Sequence, residues 1–108
     1  MQFSEYQKLA QRTSNRSLLP GEHVMNGALG LCGESGEVAD SVKKAYMQGH
    51  HFDRGHIAEE LGDVLWYIAE TCAALGLNMN DVAAQNVEKL RKRYPDGFSA
   101  DRSINREV

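Results

Sequence analysis

The stretch EELGDVLWYI, at residues 59–68, combines a helical apolar pattern with the acidic pair Glu60-x-x-Asp63. A second stretch upstream, GESGEVAD, carries Glu34-x-x-Glu37 at the same spacing. Residues three apart on an α-helix lie about 60° apart on one face, so each motif can direct two carboxylates to one point. Hard divalent cations prefer such oxygen ligands, and Mg²⁺ is usually held by a few carboxylates together with substrate phosphates. The spacing indicates metal-assisted phosphate chemistry, with solvated helix faces as the alternative.

Apolar residues at 3–4 spacing around these motifs predict four helices. In chain order they run from about Ser4 to Arg12, from just past Gly21 to about Met47, from about Arg54 to Leu75, and from near Asn80 to Pro95. Ser4 and Gln7 resemble a capping box, Asp53 is a plausible N-cap, and Gly76 is a plausible C-cap. The tail 95–108 is polar without a clear period, and no β-alternation occurs.

The predicted buried stripes place the acidic motifs on the flanks of helices two and three, where two acidic flanks can face each other across a groove. Trp66 lies away from its stripe, which suggests a subunit interface, with a base-stacking wall as the alternative. The stripe residues are Val24, Ala28, Leu31, Ser35, Val38, Val42 and Ala45 on helix two; Ile57, Leu61, Val64, Leu65, Ile68, Cys72 and Leu75 on helix three; and Ala83, Val87, Leu90 and Tyr94 on helix four.

Three glycines interrupt helix two beside its acidic motif, at Gly30, Gly33 and Gly36. Each costs about 1 kcal/mol relative to alanine inside a helix, so their presence needs a reason. Close approach of another helix is one reason, and space for a nucleotide-sized ligand beside the metal is another.

Composition fits one small globular domain over residues 1–108 and excludes several classes of protein. With a net charge of −3, the chain lacks the basic surface that a nucleic-acid polymer requires. No apolar run approaches the roughly 20 residues that span a bilayer, and no secretory signal is evident. Cys32 and Cys72 fall in apolar helical stretches and are expected to be free buried thiols, which favours a cytoplasmic location.

Two further groups of residues have side chains that could take part in binding. The loop pair His50 and His51 is more easily explained as solvated than as a zinc site. On helix four, Asn86, Lys89 and Arg93 share one face and could neutralise phosphate oxygens, although basic residues in a last turn also favour the helix dipole.

The two acidic motifs in their context resemble the MazG-like branch of the all-α nucleoside triphosphate pyrophosphohydrolases, whose signature is E-x-x-E followed by E-x-x-D. The similarity extends into NVEKLRKRYPDGFSADRSINR near the C-terminus and YQKLAQRT near the N-terminus. The resemblance implies an all-α, four-helix-bundle-type domain that assembles as a homodimer or homotetramer. It also implies Mg²⁺, with Mn²⁺ as a possible substitute.

Carried over residue by residue, the resemblance makes four acids the metal ligands: Glu34, Glu37, Glu60 and Asp63. Asn86 and Lys89 match phosphate-contacting positions, and Arg93 is added from the same helical face. The implied reaction is Mg²⁺-dependent hydrolysis of a nucleoside triphosphate to the monophosphate and pyrophosphate, with Glu37 as the base because it lies farther from the core stripe.

Two alternatives to this activity stay open at the level of sequence. One is a catalytically silent nucleotide-binding or regulatory helical module, and the other is a purely structural four-helix oligomer. Within the enzyme class, a dUTPase, a dCTPase and a phosphoribosyl-ATP pyrophosphohydrolase also stay open.

Overall fold

The computed structural model describes residues 1–106, and within them the chain is helical. The elements are α1 (Phe3–Ala10), a 3₁₀ turn (Gln11–Thr13), α2 (Pro20–Met47), α3 (Arg54–Ala74), α4 (Met79–Arg93) and α5 (Ala100–Ile104). The prediction of an all-α fold is therefore confirmed. The last two positions of the predicted domain, 107 and 108, lie outside the described residues.

Helix α3 begins at the predicted residue, Arg54, and ends one residue before the predicted Leu75. The Asp53 side chain accepts a hydrogen bond from the backbone N–H of His56 at 3.0 Å, which satisfies one free donor of the first turn. At the other end Gly76 has φ +68°, and the N–H of Leu77 donates to the carbonyl of Cys72 at 2.8 Å. Glycine adopts this left-handed conformation without steric cost, so the helix stops there.

The predicted capping box of α1 is wrong, because Ser4 and Gln7 are used in a tertiary contact. The Gln7 side chain donates to the carbonyl of Leu77 and accepts from the backbone N–H of Met79, both at 2.8 Å. The backbone N–H of Ser4 donates to the Asn80 side chain at 3.1 Å, and the Asn80 amide donates to the Ser4 hydroxyl at 3.0 Å. These bonds tie α1 to the start of α4.

Helices α2 and α3 form the most extensive helix–helix interface of the chain, and glycines allow their close approach. A Cβ at Gly27 would overlap the Thr71 side chain and come within 3.1 Å of its backbone. A Cβ at Gly30 would overlap the Tyr67 ring. Helix packing thus explains Gly30, and Gly27 is a contact that the sequence analysis did not single out.

The buried core is small and lies where α1 meets α3 and the start of α4. It comprises Ala10, Ala69, Cys72 and Met79, with Tyr6, Leu65, Trp66 and Ile68 packed against it. Helix α4 packs mainly on α1 and makes little contact with α2 or α3. The radius of gyration is 16.9 Å, compared with about 13 Å for a compact domain of this size, so one face of the α2–α3 pair is left open.

Because the arrangement is open, fewer residues are buried than the predicted stripes contain. Residues predicted to be buried but exposed in the chain are Ala28, Ser35, Val42, Leu61, Leu75, Val87 and Leu90. Cys32 is likewise exposed, whereas Cys72 is buried as expected, and burial raises the pKa of the Cys72 thiol. Helical periodicity identifies an apolar face, but the partner that covers it decides how much is buried.

The tail contains more structure than its composition indicates. Ser99 caps α5 by accepting from the Arg102 N–H at 3.3 Å, and an isolated bridge joins Pro95 to Gly97. Phe98 and Ile104 remain exposed at 79% and 80%. Within residues 1–106, no helix has the length and apolar character needed to cross a membrane.

Candidate metal centre

The close packing of α2 on α3 brings three of the four predicted ligands together. Glu34 of α2 and Glu60 and Asp63 of α3 each place a carboxylate oxygen within 4.8 Å of the others. We refer to these three residues as the carboxylate cluster. Glu34 lies one turn beyond Gly30, whose missing side chain lets the two helices approach. The cluster therefore depends on the same packing that fixes the helix pair.

The charges in the carboxylate cluster oppose one another. The pKa of Glu34 is raised, first by a hydrogen bond with the Glu60 carboxyl group, then by burial and by the negative charges of its acidic neighbours. Carboxylates gathered at one point repel one another, so the cluster favours an added positive charge. A divalent cation would supply that charge, and an all-oxygen donor set suits a hard cation such as Mg²⁺.

Glu37, the fourth predicted ligand, is not part of the cluster. It is exposed on the next turn of α2. Its charge nevertheless reaches the cluster, because it contributes to the raised pKa of Glu34. The chain thus holds three acids at one point and a fourth at the edge.

A cavity of about 350 Å³ adjoins the cluster, lined by Glu34, Asp63, Trp66 and Tyr67. The two aromatic rings meet edge to face, with centroids 5.0 Å apart and planes at 84°. The Trp66 indole N–H donates to the carbonyl of Ala10 at 3.1 Å and to the Thr13 hydroxyl at 2.8 Å. The polar atom of Trp66 thus holds the end of α1 within the chain, and the expected role of its ring at a subunit interface stays a prediction.

Two residues near the cluster were not assigned a role from sequence. His56 lies one turn before Glu60 on α3, and its Nε2 atom is 3.3 Å from Glu60 Oε1. The i, i+4 spacing is the signal that could have revealed this contact. Tyr6 of α1 lies close enough to Asp63 for the acid to raise its pKa, although burial is the larger cause. No local pattern links Tyr6 to Asp63, because they lie on different helices.

The predicted phosphate-contacting residues lie on α4, outside the wall of the cavity beside the carboxylate cluster. Asn86 and Lys89 are exposed, and Arg93 is partly buried near the end of the helix. None of the three lines that cavity. Helix α4 packs on α1 and makes little contact with the α2–α3 pair that carries the cluster.

Comparisons with known proteins agree with this arrangement. A family model described as the MazG nucleotide pyrophosphohydrolase domain matches residues 25–98, which include all four acids and the basic face of α4. The chain is also similar to the Gene 37 protein of Mycobacterium phage L5, at 34% identity over 82 residues that cover 72% of each chain. No solved structure matches significantly.

Proposed function

The chain belongs to the family of MazG nucleotide pyrophosphohydrolase domains, and on that premise we propose that it hydrolyses nucleoside triphosphates to the monophosphate and pyrophosphate with the help of Mg²⁺. The observation that carries the proposal is the carboxylate cluster. One carboxylate oxygen from each of three acids on two helices lies within 4.8 Å of the others, and the acidic neighbours raise the pKa of Glu34.

The residues of the cluster have distinct roles in this proposal. Glu34, Glu60 and Asp63 hold the cation, for which Mn²⁺ is a possible substitute. His56 fixes the orientation of the Glu60 carboxylate through its 3.3 Å contact, since hydrogen-bonded partners commonly orient metal ligands. When bound, the cation neutralises the phosphate chain and lowers the pKa of a water molecule.

Glu37 is the proposed base, as well as a further ligand. It is exposed on the turn of α2 that follows Glu34, so it can meet both water and the phosphate chain at the edge of the cluster. A base must lie within hydrogen-bond reach of the water whose proton it accepts. In this role Glu37 takes the proton as the water oxygen attacks phosphorus and pyrophosphate leaves.

Assembly with a second copy is part of the proposal. The face of α2 and the sides of α3 and α4 expose large apolar side chains, including Leu29 at 72%, Leu61 at 53% and Val87 at 48%. Extensive apolar exposure of this kind marks an interaction surface. A homodimer or homotetramer would cover this surface. In such an assembly, the α4 residues Asn86, Lys89 and Arg93 would contact the phosphate chain of a nucleotide bound to another copy.

Pyrophosphate release from a panel of nucleotides, with and without Mg²⁺, tests the activity directly. Release that depends on the metal is expected with at least one substrate, and the panel includes dUTP, dCTP and phosphoribosyl-ATP to separate the narrower activities. Glu37→Gln should abolish turnover while leaving the helical content unchanged. Tight nucleotide binding without any product would instead establish the silent binding module.

A further inference from the structure

A second cavity, of about 230 Å³, lies where the last turns of α2, the connecting loop and the first turn of α3 meet. It shares no lining residue with the cavity beside the carboxylate cluster. We refer to it as the loop cavity. Its lining is rich in hydrogen-bond donors, and its polar members are Ser41, Lys44, His50, His51, Asp53 and His56.

The loop cavity adjoins the carboxylate cluster, and exposed side chains lie between the two. His56 belongs to the cavity wall, and its Nε2 atom is 3.3 Å from Glu60 Oε1 of the cluster. On α2, Ser41 lies one turn beyond Glu37, about 6 Å along the helix axis. The His56 side chain is 51% exposed, and Glu37 is exposed as well. A ligand held at the cluster by one end can therefore reach the loop cavity along the surface of the helix pair.

Lys44 supplies a positive charge to the loop cavity. Its Nζ atom donates to Asp40 Oδ2 at 2.8 Å, and this hydrogen bond is the largest cause of the raised pKa of Lys44. The charge of Glu37 also contributes to that raised pKa, so Lys44 lies within electrostatic reach of the acid at the edge of the cluster. An ammonium group has three donors, and the bond to Asp40 leaves others for a ligand.

The other polar side chains of the lining favour an anion as well. His50 and His51 are exposed, and an imidazole carries at least one N–H donor whether it is neutral or protonated. The carboxylate in the lining, Asp53, already accepts from the backbone N–H of His56 at 3.0 Å. Within residues 1–106, these histidines and Asp53 do not converge closely enough to hold a metal ion. The lining thus suits an oxyanion with several acceptor oxygens.

We propose that the loop cavity is a pyrophosphate subsite, which holds the two outer phosphates of the substrate and then the pyrophosphate that leaves. Charge-assisted hydrogen bonds from Lys44 and the loop histidines would bind the phosphate oxygens. The nucleoside then extends the other way along α3, towards the cavity of about 350 Å³ on the far side of the cluster. The assignment rests on the proposed function, because it takes a nucleoside triphosphate as the substrate.

Binding of inorganic pyrophosphate tests the subsite without turnover. In isothermal titration calorimetry with Mg²⁺ present, Lys44→Met should weaken pyrophosphate binding about 10-fold, because a charge-assisted hydrogen bond is lost. Lys44→Arg keeps the charge and should retain most of the affinity.

Lys43→Met is the matched control for the charge on α2. The Nζ atom of Lys43 lies 3.6 Å from the same Asp40 carboxylate, but Lys43 does not line the loop cavity. The control should bind pyrophosphate as the unmodified protein does. Equal weakening in Lys43→Met and Lys44→Met, or no binding of pyrophosphate to the unmodified protein, would overturn the subsite.

The loop histidines give a readout of the direction in which the substrate lies. Their imidazole NMR signals should shift on addition of pyrophosphate and stay in place on addition of a nucleoside monophosphate. The double variant His50→Ala, His51→Ala should weaken pyrophosphate binding about 2- to 10-fold. Shifts of the same size with the monophosphate would show that the proposed direction is wrong.

Turnover separates failure of the subsite from failure of the hydrolase. Lys44→Met should raise KM for the triphosphate and weaken inhibition by pyrophosphate, while inhibition by the nucleoside monophosphate stays unchanged. Mg²⁺-dependent turnover with the same pyrophosphate inhibition in Lys44→Met would refute the subsite but not the hydrolase. Pyrophosphate binding that depends on Lys44, without turnover of any nucleotide, would refute the hydrolase but not the anion site.

Discussion

The acidic side chains in the two halves of α3 differ in the hydrogen-bond donors that surround them. At the N-terminal half of the helix, Glu60 and Asp63 join Glu34 in a cluster that lacks a cationic partner strong enough to offset three acids, and Glu34 is held at a raised pKa. Two turns further on, Glu70 is 1% exposed but accepts from the Ser14 hydroxyl at both oxygens. The carboxylates at the N-terminal end repel one another, whereas the carboxylate of Glu70 has a hydrogen-bond donor within the chain.

The difference teaches how to tell a binding site from a structural contact. A buried carboxylate that contributes to folding has its own donors within the chain, as Glu70 does. Acids that lie together and raise one another's pKa instead favour an external positive charge.

The largest loss of activity is expected from substitutions within the carboxylate cluster. Glu60→Gln and Asp63→Asn should each lower Mg²⁺-dependent pyrophosphate release by more than about 100-fold, because even residues that only orient metal ligands are worth 10- to 100-fold. Pyrophosphate release and circular dichroism are measured together. Glu88→Gln, at an exposed acid of α4, is the control and should keep its activity. Full activity in Asp63→Asn would remove that residue from the site.

Removing the Ser14 hydroxyl, which donates to Glu70, should destabilise the fold. Ser14→Ala takes away the hydroxyl that serves both Glu70 oxygens, and the free energy of unfolding should fall by about 1–3 kcal/mol because a buried acceptor is left unsatisfied. Urea denaturation measures the change. Ser17→Ala, in the exposed part of the same loop, should have little effect. An unchanged midpoint for Ser14→Ala would mean that Glu70 finds other donors.

Two glycine substitutions on α2 test whether the helix is closely packed near Glu70 and open near the carboxylate cluster. Gly27→Ala should lower the free energy of unfolding by about 1–3 kcal/mol, because its Cβ would overlap Thr71. Gly36→Ala, near the cluster, should raise it by about 0.5–1 kcal/mol, because the new Cβ meets open space and alanine favours the helix. Opposite signs in thermal or urea unfolding are the expected result. Equal destabilisation would show that Gly36 is covered, for instance by a second copy.

The smallest effect is a dependence of stability on pH in the metal-free protein. The pKa of Glu34 is raised above its ordinary value of 4.5, so the folded chain holds this proton over a range where the unfolded chain has lost it. Stability should therefore fall as pH rises from about 4.5 through the raised pKa, and then stay constant. Glu34→Gln should remove this part of the pH dependence in thermal unfolding. Saturating Mg²⁺ should remove it in the unmodified protein, and a failure to do so would argue against cation binding here.

Much of the fold was predictable from local sequence. Helical periodicity, Asp53 as an N-cap and Gly76 as a C-cap placed the ends of α3 correctly, since these signals act within one or two turns. The spacing within each motif placed its two acids on one flank of a helix, and the structure brings Glu34 to Glu60 and Asp63. The assignment of all four acids as ligands remains a prediction, and Glu37 lies outside the cluster in this chain.

Residues that act across helices were the ones that sequence reasoning misread. Ser4 and Gln7 have the spacing of a capping box, but both bind the start of α4 instead. The bond from the Trp66 indole N–H to the end of α1 was likewise not predicted, while the role of Trp66 at a subunit interface stays a prediction. A local pattern records which bonds a side chain can make, and only the neighbours present in the fold select among them.

The sequence by itself determined the four long helices, the caps of α3 and the shared face of the acids within each motif, because each depends on contacts between residues a few positions apart. The tertiary structure alone decided which acids meet, why Gly27 and Gly30 are glycines, and that Glu70 is buried with Ser14 as its donor. These outcomes depend on the approach of α2 to α3 and on the path of the chain between α1 and α2. Contacts of that kind join residues up to 56 positions apart, so no local spacing encodes them.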